Sequence, residues 1–210
     1  MIKGVDVYHG DGEINWSLVA RQGFGFAYLK ATEGTAWRDP AYARNKARAQ
    51  GCQLLVGAYH YLKPVAGSGE DQAAHFLWVV GYGEGLAGML PPAVDVEEAG
   101  KLDRDQMTAL VREFSDEVRR VVSLRPFVYV SPSFAEEHLR PTLVPDHKLW
   151  VAHYTRNAPF DDPTCAPWGH WSFWQYTDKG SITGINNGKA TTDLDMFNGS
   201  AAELAQLVIR

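Results

Sequence analysis

The residues best placed to do chemistry are two carboxylates one position apart, Asp95 and Glu97, in Ala93-Val94-Asp95-Val96-Glu97. Alternate residues of a strand point to the same face. At a rise of roughly 3.3 Å per residue their Cα atoms would lie about 6.6 Å apart. Two carboxylates held side by side cannot both ionise freely, so one keeps its proton to higher pH. A protonated acid beside an ionised partner is what cleavage of a glycosidic bond needs. A bare Asp-x-Glu is more often a solvated strand end. Here the pair closes an apolar run entered through Pro91-Pro92, which favours a strand that delivers both groups to one place. Glu98 would point the other way, as a solvent-facing or structural residue.

Further acids recur at strand-like positions. Asp6 lies in Gly4-Val5-Asp6-Val7-Tyr8, and Asp193 and Asp195 alternate in Thr192-Asp193-Leu194-Asp195-Met196-Phe197. Taken singly, each reads most simply as a satisfied strand-end carboxylate. If the last strand closes against the first, Asp193 approaches Asp6. Their charge would then raise the acid's pKa and stabilise an oxocarbenium-like centre. His60 reads most simply as a partner for a carboxylate or the backbone. No HExxH or comparable spacing supports a metal site, so neither metal nor cofactor is expected. Ser131 and Ser133 flank Pro132 without a nucleophile-elbow pattern. Cys52 and Cys165 match no metal or CxxC spacing, and whether they pair stays open.

The elements that must position these groups alternate between strand and helix. Strands are expected at about Lys3–Tyr8, Phe26–Thr32, Leu54–Tyr61, Ala93–Val96 and Phe127–Val130. Helices are expected at Trp16–Gln22 after the cap Asn15, at Ala41–Gln50 before Gly51, and at Glu70–Val80. Asp103 and Gln106 resemble a capping box. The helix that follows carries Met107, Leu110, Val111, Phe114, Val118 and Val121 at helical spacing.

Beyond residue 130 the pattern changes. Leu149–Ala152, Ser172–Tyr176 and Leu194–Phe197 read as strands without long helices between them, and Ala201–Val208 as a closing helix. Thr155–His170 reads as a long Pro/Gly/Asp loop, a kind more often functional than decorative. The fold class expected is α/β: a parallel, irregular TIM-like barrel with β/α units first and fewer helices late. In such a barrel, active sites sit at the carboxyl ends of the strands. Asp6, Glu33, His60, Tyr61, Asp95, Glu97, His153, Tyr154, Gln175, Tyr176 and Asp193 all fall near strand ends and would converge on one cleft.

Bulk properties narrow the class. A chain of 210 residues suits one domain, and no linker or internal repeat divides it. A net charge of -5 argues against a nucleic-acid partner. No run approaches the roughly 18 apolar residues of a membrane span. The first residues enter a strand at once, so no secretory signal is expected. Trp168, Trp171, Trp174 and Tyr176 lie in polar or Gly-rich surroundings. Exposed rings suit the apolar C–H face of a sugar, although any single ring is more often core.

Taken in order, these segments resemble the family 25 glycoside hydrolases, the Chalaropsis-type lysozymes of phage endolysins, bacteria and some fungi. The resemblance runs from Gly4-Val5-Asp6 through Ile14-Asn15-Trp16, Lys30-Ala31-Thr32-Glu33-Gly34, Asp39-Pro40 with Asn45, and Gly57-Ala58-Tyr59-His60-Tyr61. It continues through Asp95-Val96-Glu97, Trp150-Val151-Ala152-His153-Tyr154 and Trp174-Gln175-Tyr176 to Asp193-Leu194-Asp195-Met196-Phe197. It implies a late-irregular barrel that cleaves the β-1,4 bond between N-acetylmuramic acid and N-acetylglucosamine in peptidoglycan.

Carried over, the resemblance makes Glu97 the general acid and Asp95 the group that orients the substrate acetamido group. Asp6 and Asp193 complete the acidic cluster. Glu33, Tyr59, Tyr61, Tyr129, Trp150, Tyr154 and Gln175 are expected to contact substrate. It also suggests that the substrate's own acetamido oxygen attacks the anomeric carbon. Tyr8-His9 departs from a Ser-rich turn common in the family, and Asn15 from its usual Asp.

A single catalytic domain without cell-wall-binding repeats is expected, acting as a monomer on glycan strands. The setting expected is a phage lysin released through membrane lesions, or a protein exported by another route. Two other readings stay open. A chitinase-like hydrolase would act on chitin but not on peptidoglycan. An inactive glycan-binding barrel would bind walls without releasing reducing ends.

Overall fold

The structure, a computed structural model, describes residues 1–186 and 192–210. The elements run β1 (Ile2–Val7), α1 (Trp16–Arg21), β2 (Phe24–Glu33), β3 (Trp37–Arg38), α2 (Tyr42–Gly51), β4 (Leu55–Tyr61), α3 (Gly69–Val80), α4 (Tyr82–Leu86) and β5 (Ala93–Asp95). Then follow α5 (Arg104–Val122), β6 (Phe127–Val130), α6 (Pro132–His138), β7 (Leu149–Ala152), β8 (Phe173–Gly180), β9 (Thr192–Phe197) and α7 (Ala201–Gln206).

The expected elements appear within a few residues, and the caps of α1 and α5 act as the residue types suggest; Gly51, expected to stop α2, lies in its last turn, and Gln53 takes the positive φ instead. Asn15 accepts from the Leu18 N–H at 3.2 Å. Asp103 and Gln106 cap α5 reciprocally, at 2.9 and 3.0 Å. Three short elements went unread in the sequence: β3, α4 and α6. Ser131-Pro132 is the start of α6, with Ser131 Oγ accepting from the Phe134 N–H and Pro132 in the first turn.

The strands pair in the order β1-β9-β8-β7-β6-β5-β4-β2-β3, and an additional β1–β2 pairing closes the barrel with β3 left outside. The barrel pairings are parallel except those of β9, which runs antiparallel to both β1 and β8. The sequence reading of a parallel sheet therefore fails at this strand. The link from Gly180 to Thr192 is too short for a parallel crossover, so the chain must turn back. The start of β9, not its end, then stands at the mouth of the barrel, and Asp193 pairs with Asp6.

Alternation divides the side chains between two packed regions. Val5, Leu29, Val56, Ala58, Val94, Val128 and Val151 face outward and pack beneath the helices. Phe26, Tyr28, Tyr59, Phe127, Tyr129, Trp150, Phe173 and Phe197 fill the barrel. The lower rings meet at right angles or tilted, with Phe26, Phe127 and Phe197 each 5.1 Å from Phe173. Gly57 makes room for one of the upper rings: a Cβ there would lie 2.2 Å from the ring of Tyr28. Aromatic packing thus closes the lower barrel and leaves the polar residues at its upper end.

Candidate active site

Asp95 is the last residue of β5, and Glu97 stands two positions beyond it. The backbone keeps its sheet-like partners past the strand end. Leu62 N–H donates to Asp95 O and Val96 N–H to Tyr129 O, both at 2.9 Å. Asp95 and Glu97 accordingly share a face, as the alternation requires. Their surroundings differ. Asp95 is 6% exposed, whereas Glu97 is open to solvent. Their carboxyls lie within hydrogen-bonding reach, which needs a proton on one of them. Burial first, and the charge of Glu97 second, push Asp95 well above the usual carboxylate range. Asp95 is therefore the member of the pair whose surroundings disfavour its charge.

Gln175 of β8 ties the remaining strands together. Its Nε2 donates to Asp6 Oδ2 at 2.8 Å. Its Oε1 accepts from Tyr129 at 2.8 Å and from Tyr154 at 2.5 Å. Two phenols donating to one amide oxygen fix which way the amide faces. One level lower, Trp150 Nε1 donates to Asp195 Oδ1 at 2.9 Å. Asp195 is fully buried and lies against Asp6, with which it can bond only when one of the two is protonated.

These groups surround a cavity of about 300 Å³ lined by Asp6, Tyr8, Lys30, Tyr59, Tyr61, Asp95, Glu97, Tyr129, Trp150, Tyr154, Gln175, Asp178 and Asp193. Among its described lining residues Lys30 is the only cation. Burial, then the charge of Asp195, holds Asp6 well above the ordinary carboxylate range. Burial, then the charge of Asp6, raises Asp193 to about 9. A second lobe of about 590 Å³ adjoins the first and shares Glu97, Tyr129 and Tyr154 with it. Its other walls include Pro132, Phe134, Ala152 and His153. Glu97 thus stands at the seam of a two-lobed cleft, with a buried carboxyl beside it.

Comparison with known proteins bears directly on this arrangement. The sequence matches Glycosyl hydrolases family 25 over residues 5–185. It is 32% identical to Lysozyme M1 of Streptomyces globisporus, covering 98% of this chain and 71% of that protein. It is 34% identical to protein YegX of Escherichia coli K12, over 99% of this chain and 73% of that one. The bacterial lysozyme of Streptomyces coelicolor superposes with a TM-score of 0.87 at 31% identity, covering 99% and 96% of the two chains. The chain belongs to glycosyl hydrolase family 25.

This family 25 hydrolase brings to one cavity all but one of the residues expected to act on or touch substrate; of the others expected at the cleft, His153 lines the second lobe, whereas Tyr176 packs against Trp174 outside the barrel. Asp6, Asp95, Glu97, Asp193, Tyr59, Tyr61, Tyr129, Trp150, Tyr154 and Gln175 line the acidic cavity. Glu33 does not. Its carboxylate is held by Lys30 at 2.7 Å and Lys63 at 3.2 Å, so it positions the cavity's lysine instead. Glu98 accepts from Tyr61 at 2.9 Å and pairs with Lys63 at 3.2 Å on the exposed rim.

His60 points away from the cleft, on the opposite side of β4 from Tyr59 and Tyr61. It meets Thr32 at 2.7 Å and Gln72 at 3.0 Å, and stacks on Phe114. Burial lowers it to about 3, so it stays neutral between barrel and helices. Cys52 and Cys165 are both free.

Tyr8, Lys30 and Asp178 line the cavity without having been named as site residues. Lys30 was legible, since it shares the inward alternation of Phe26 and Tyr28. Asp178 was not. The register of β8 shifts between Gln175 and Thr177, which breaks the alternation that sequence reasoning relies on.

Proposed function

We propose that this hydrolase is an N-acetylmuramidase, cleaving the β-1,4 bond between N-acetylmuramic acid and N-acetylglucosamine in peptidoglycan. The observation that carries the reading is the position of Glu97, an open carboxyl at the seam of two sugar-sized lobes with the buried carboxyl of Asp95 beside it. Lysozyme M1 and the Streptomyces coelicolor lysozyme support the substrate class.

In this mechanism Glu97 gives its proton to the glycosidic oxygen as the C1–O bond breaks. The carbonyl oxygen of the substrate's 2-acetamido group attacks the anomeric carbon, closing a ring that carries the positive charge. The acetamido N–H donates to Asp95 and stabilises its ionised form. Docking therefore favours the shared proton on Glu97, where the leaving oxygen needs it. Water then opens the ring and gives a proton back to Glu97. Asp6 and Asp193 supply the surrounding negative field.

The test is digestion of purified peptidoglycan by the wild type and Glu97→Gln, with borohydride reduction and mass spectrometry of the products. Muropeptides ending in reduced muramic acid are expected from the wild type alone. Reduced glucosamine ends would place the cut at the neighbouring bond. New reducing ends released equally by Glu97→Gln would remove Glu97 from its role.

A further inference from the structure

We propose that Tyr8, His9 and Trp37 form a distal glycan-binding ridge, holding sugars of the strand beyond the one being cleaved; the inference rests on the muramidase reading above. The three rings form a contiguous row. Tyr8 lies 5.1 Å from His9, and His9 lies 5.3 Å from Trp37, between centroids. The row begins inside the site, because Tyr8 lines the acidic cavity. It stays open to solvent, with Tyr8 44% and Trp37 38% exposed.

Exposed rings are unremarkable when scattered, but these are held in place. Buried Asp39 takes both the backbone N–H and the ring Nδ1 of His9 on one oxygen, at 2.9 and 3.0 Å. Its other oxygen accepts from the Ala41 N–H at 2.8 Å. The Tyr8 N–H donates to Asp11 at 2.9 Å. A Cβ at Gly10 would lie 2.3 Å from the Tyr8 ring, so glycine lets that ring lie across the turn. The Lys30 ammonium, itself tied to Glu33, sits 5.2 Å from the Trp37 ring centroid. Rings preset in this way bind at little entropic cost. Their faces suit the apolar C–H side of a pyranose.

Position decides which ligand they serve. The ridge follows β1 and β2, whereas the second lobe of the cleft follows β6 and β7. In the closed order of strands these pairs lie on opposite sides of the mouth, with Glu97 after β5 between them. A strand bound in the second lobe and passing Glu97 runs over the acidic cavity and onto Tyr8. A polymer is the ligand that reaches both ends at once.

The experiment compares kcat/KM on peptide-free glycan tetrasaccharides and decasaccharides for the wild type, Trp37→Ala and Trp37→Phe. The wild type is expected to favour the longer strand by about tenfold. Trp37→Ala should bring that ratio close to one, and Trp37→Phe should restore most of it. A merely structural role would lower both substrates together and leave the ratio intact, which overturns the ridge. If thermal melting shows that Trp37→Ala does not fold, Trp37→Leu is read in the same way. A wild type that cleaves both lengths equally overturns the ridge alone. A wild type that cleaves neither overturns the muramidase reading, and the ridge with it.

Discussion

Asp95 is buried, and in the proposed reaction the proton it shares with Glu97 must stand on Glu97 at the moment of cleavage. The acetamido N–H favours that placement, so the amide of an asparagine could not replace Asp95. Asp95→Asn is expected to lower kcat by about a hundredfold or more, the usual weight of a positioned acid–base group. KM should move far less, because the second lobe and the tyrosines still hold the strand. Steady-state kinetics on soluble glycan strands separate the two quantities. A raised KM with unchanged kcat would mean that Asp95 only binds sugar. At this scale the residue types were legible: Asp95, Glu97, Asp6 and Asp193 all line the cavity. That Asp95 is the buried member of the pair was not, because tertiary packing decides it.

The strands hold these groups in place because glycines admit the rings that fill the barrel. Gly57 faces inward on β4, where a Cβ would overlap the Tyr28 ring. Tyr28 is itself fixed, its hydroxyl donating to Pro91 O at 3.0 Å. Gly57→Ala should therefore cost about 1–3 kcal/mol through overpacking. Gly51, at the end of α2, has open space where its Cβ would be, so Gly51→Ala should cost little or stabilise slightly. Urea unfolding of the two variants makes the comparison, and equal midpoints would refute the packing argument. The strands themselves were readable because alternation and β-branched runs are local signals. The β8 register shift that brings Asp178 to the cavity was hidden, since a bulge is set by the partner strand.

Across the whole molecule, the acidic cluster makes stability depend on pH. Burial raises Asp195 to about 8, and its folded value thus lies above its unfolded one. The folded state then binds the proton more tightly. The stabilisation is complete below about pH 4, the unfolded carboxylate value, and is lost as pH rises through about 8. Asp193 adds the same sign of dependence up to about 9. Melting temperature is expected to fall between pH 5 and 9. Asp195→Asn, which needs no proton to stay neutral, should flatten that fall and raise the melting point at pH 9 by several degrees. A wild-type melting curve that does not move with pH would show that the buried acids titrate normally.

The sequence alone determined the order of strands and helices, the caps of α1 and α5, and the acidic pair at the end of β5. Each of these rests on local rules: a period of two or 3.6, a side chain bonding a backbone N–H three residues on, alternation on one face. Ring closure was part of the expected barrel, and with it came the approach of Asp6 to Asp193. The tertiary structure decided the rest. It reversed β9, because the link before it is too short to cross over. It turned His60 to the helices and engaged Glu33 with two lysines. It also set the Tyr8, His9 and Trp37 rings in a row, with Asp39 holding His9 between the other two. Those outcomes depend on which distant segments meet and how much water they exclude, and neither is written in local spacing.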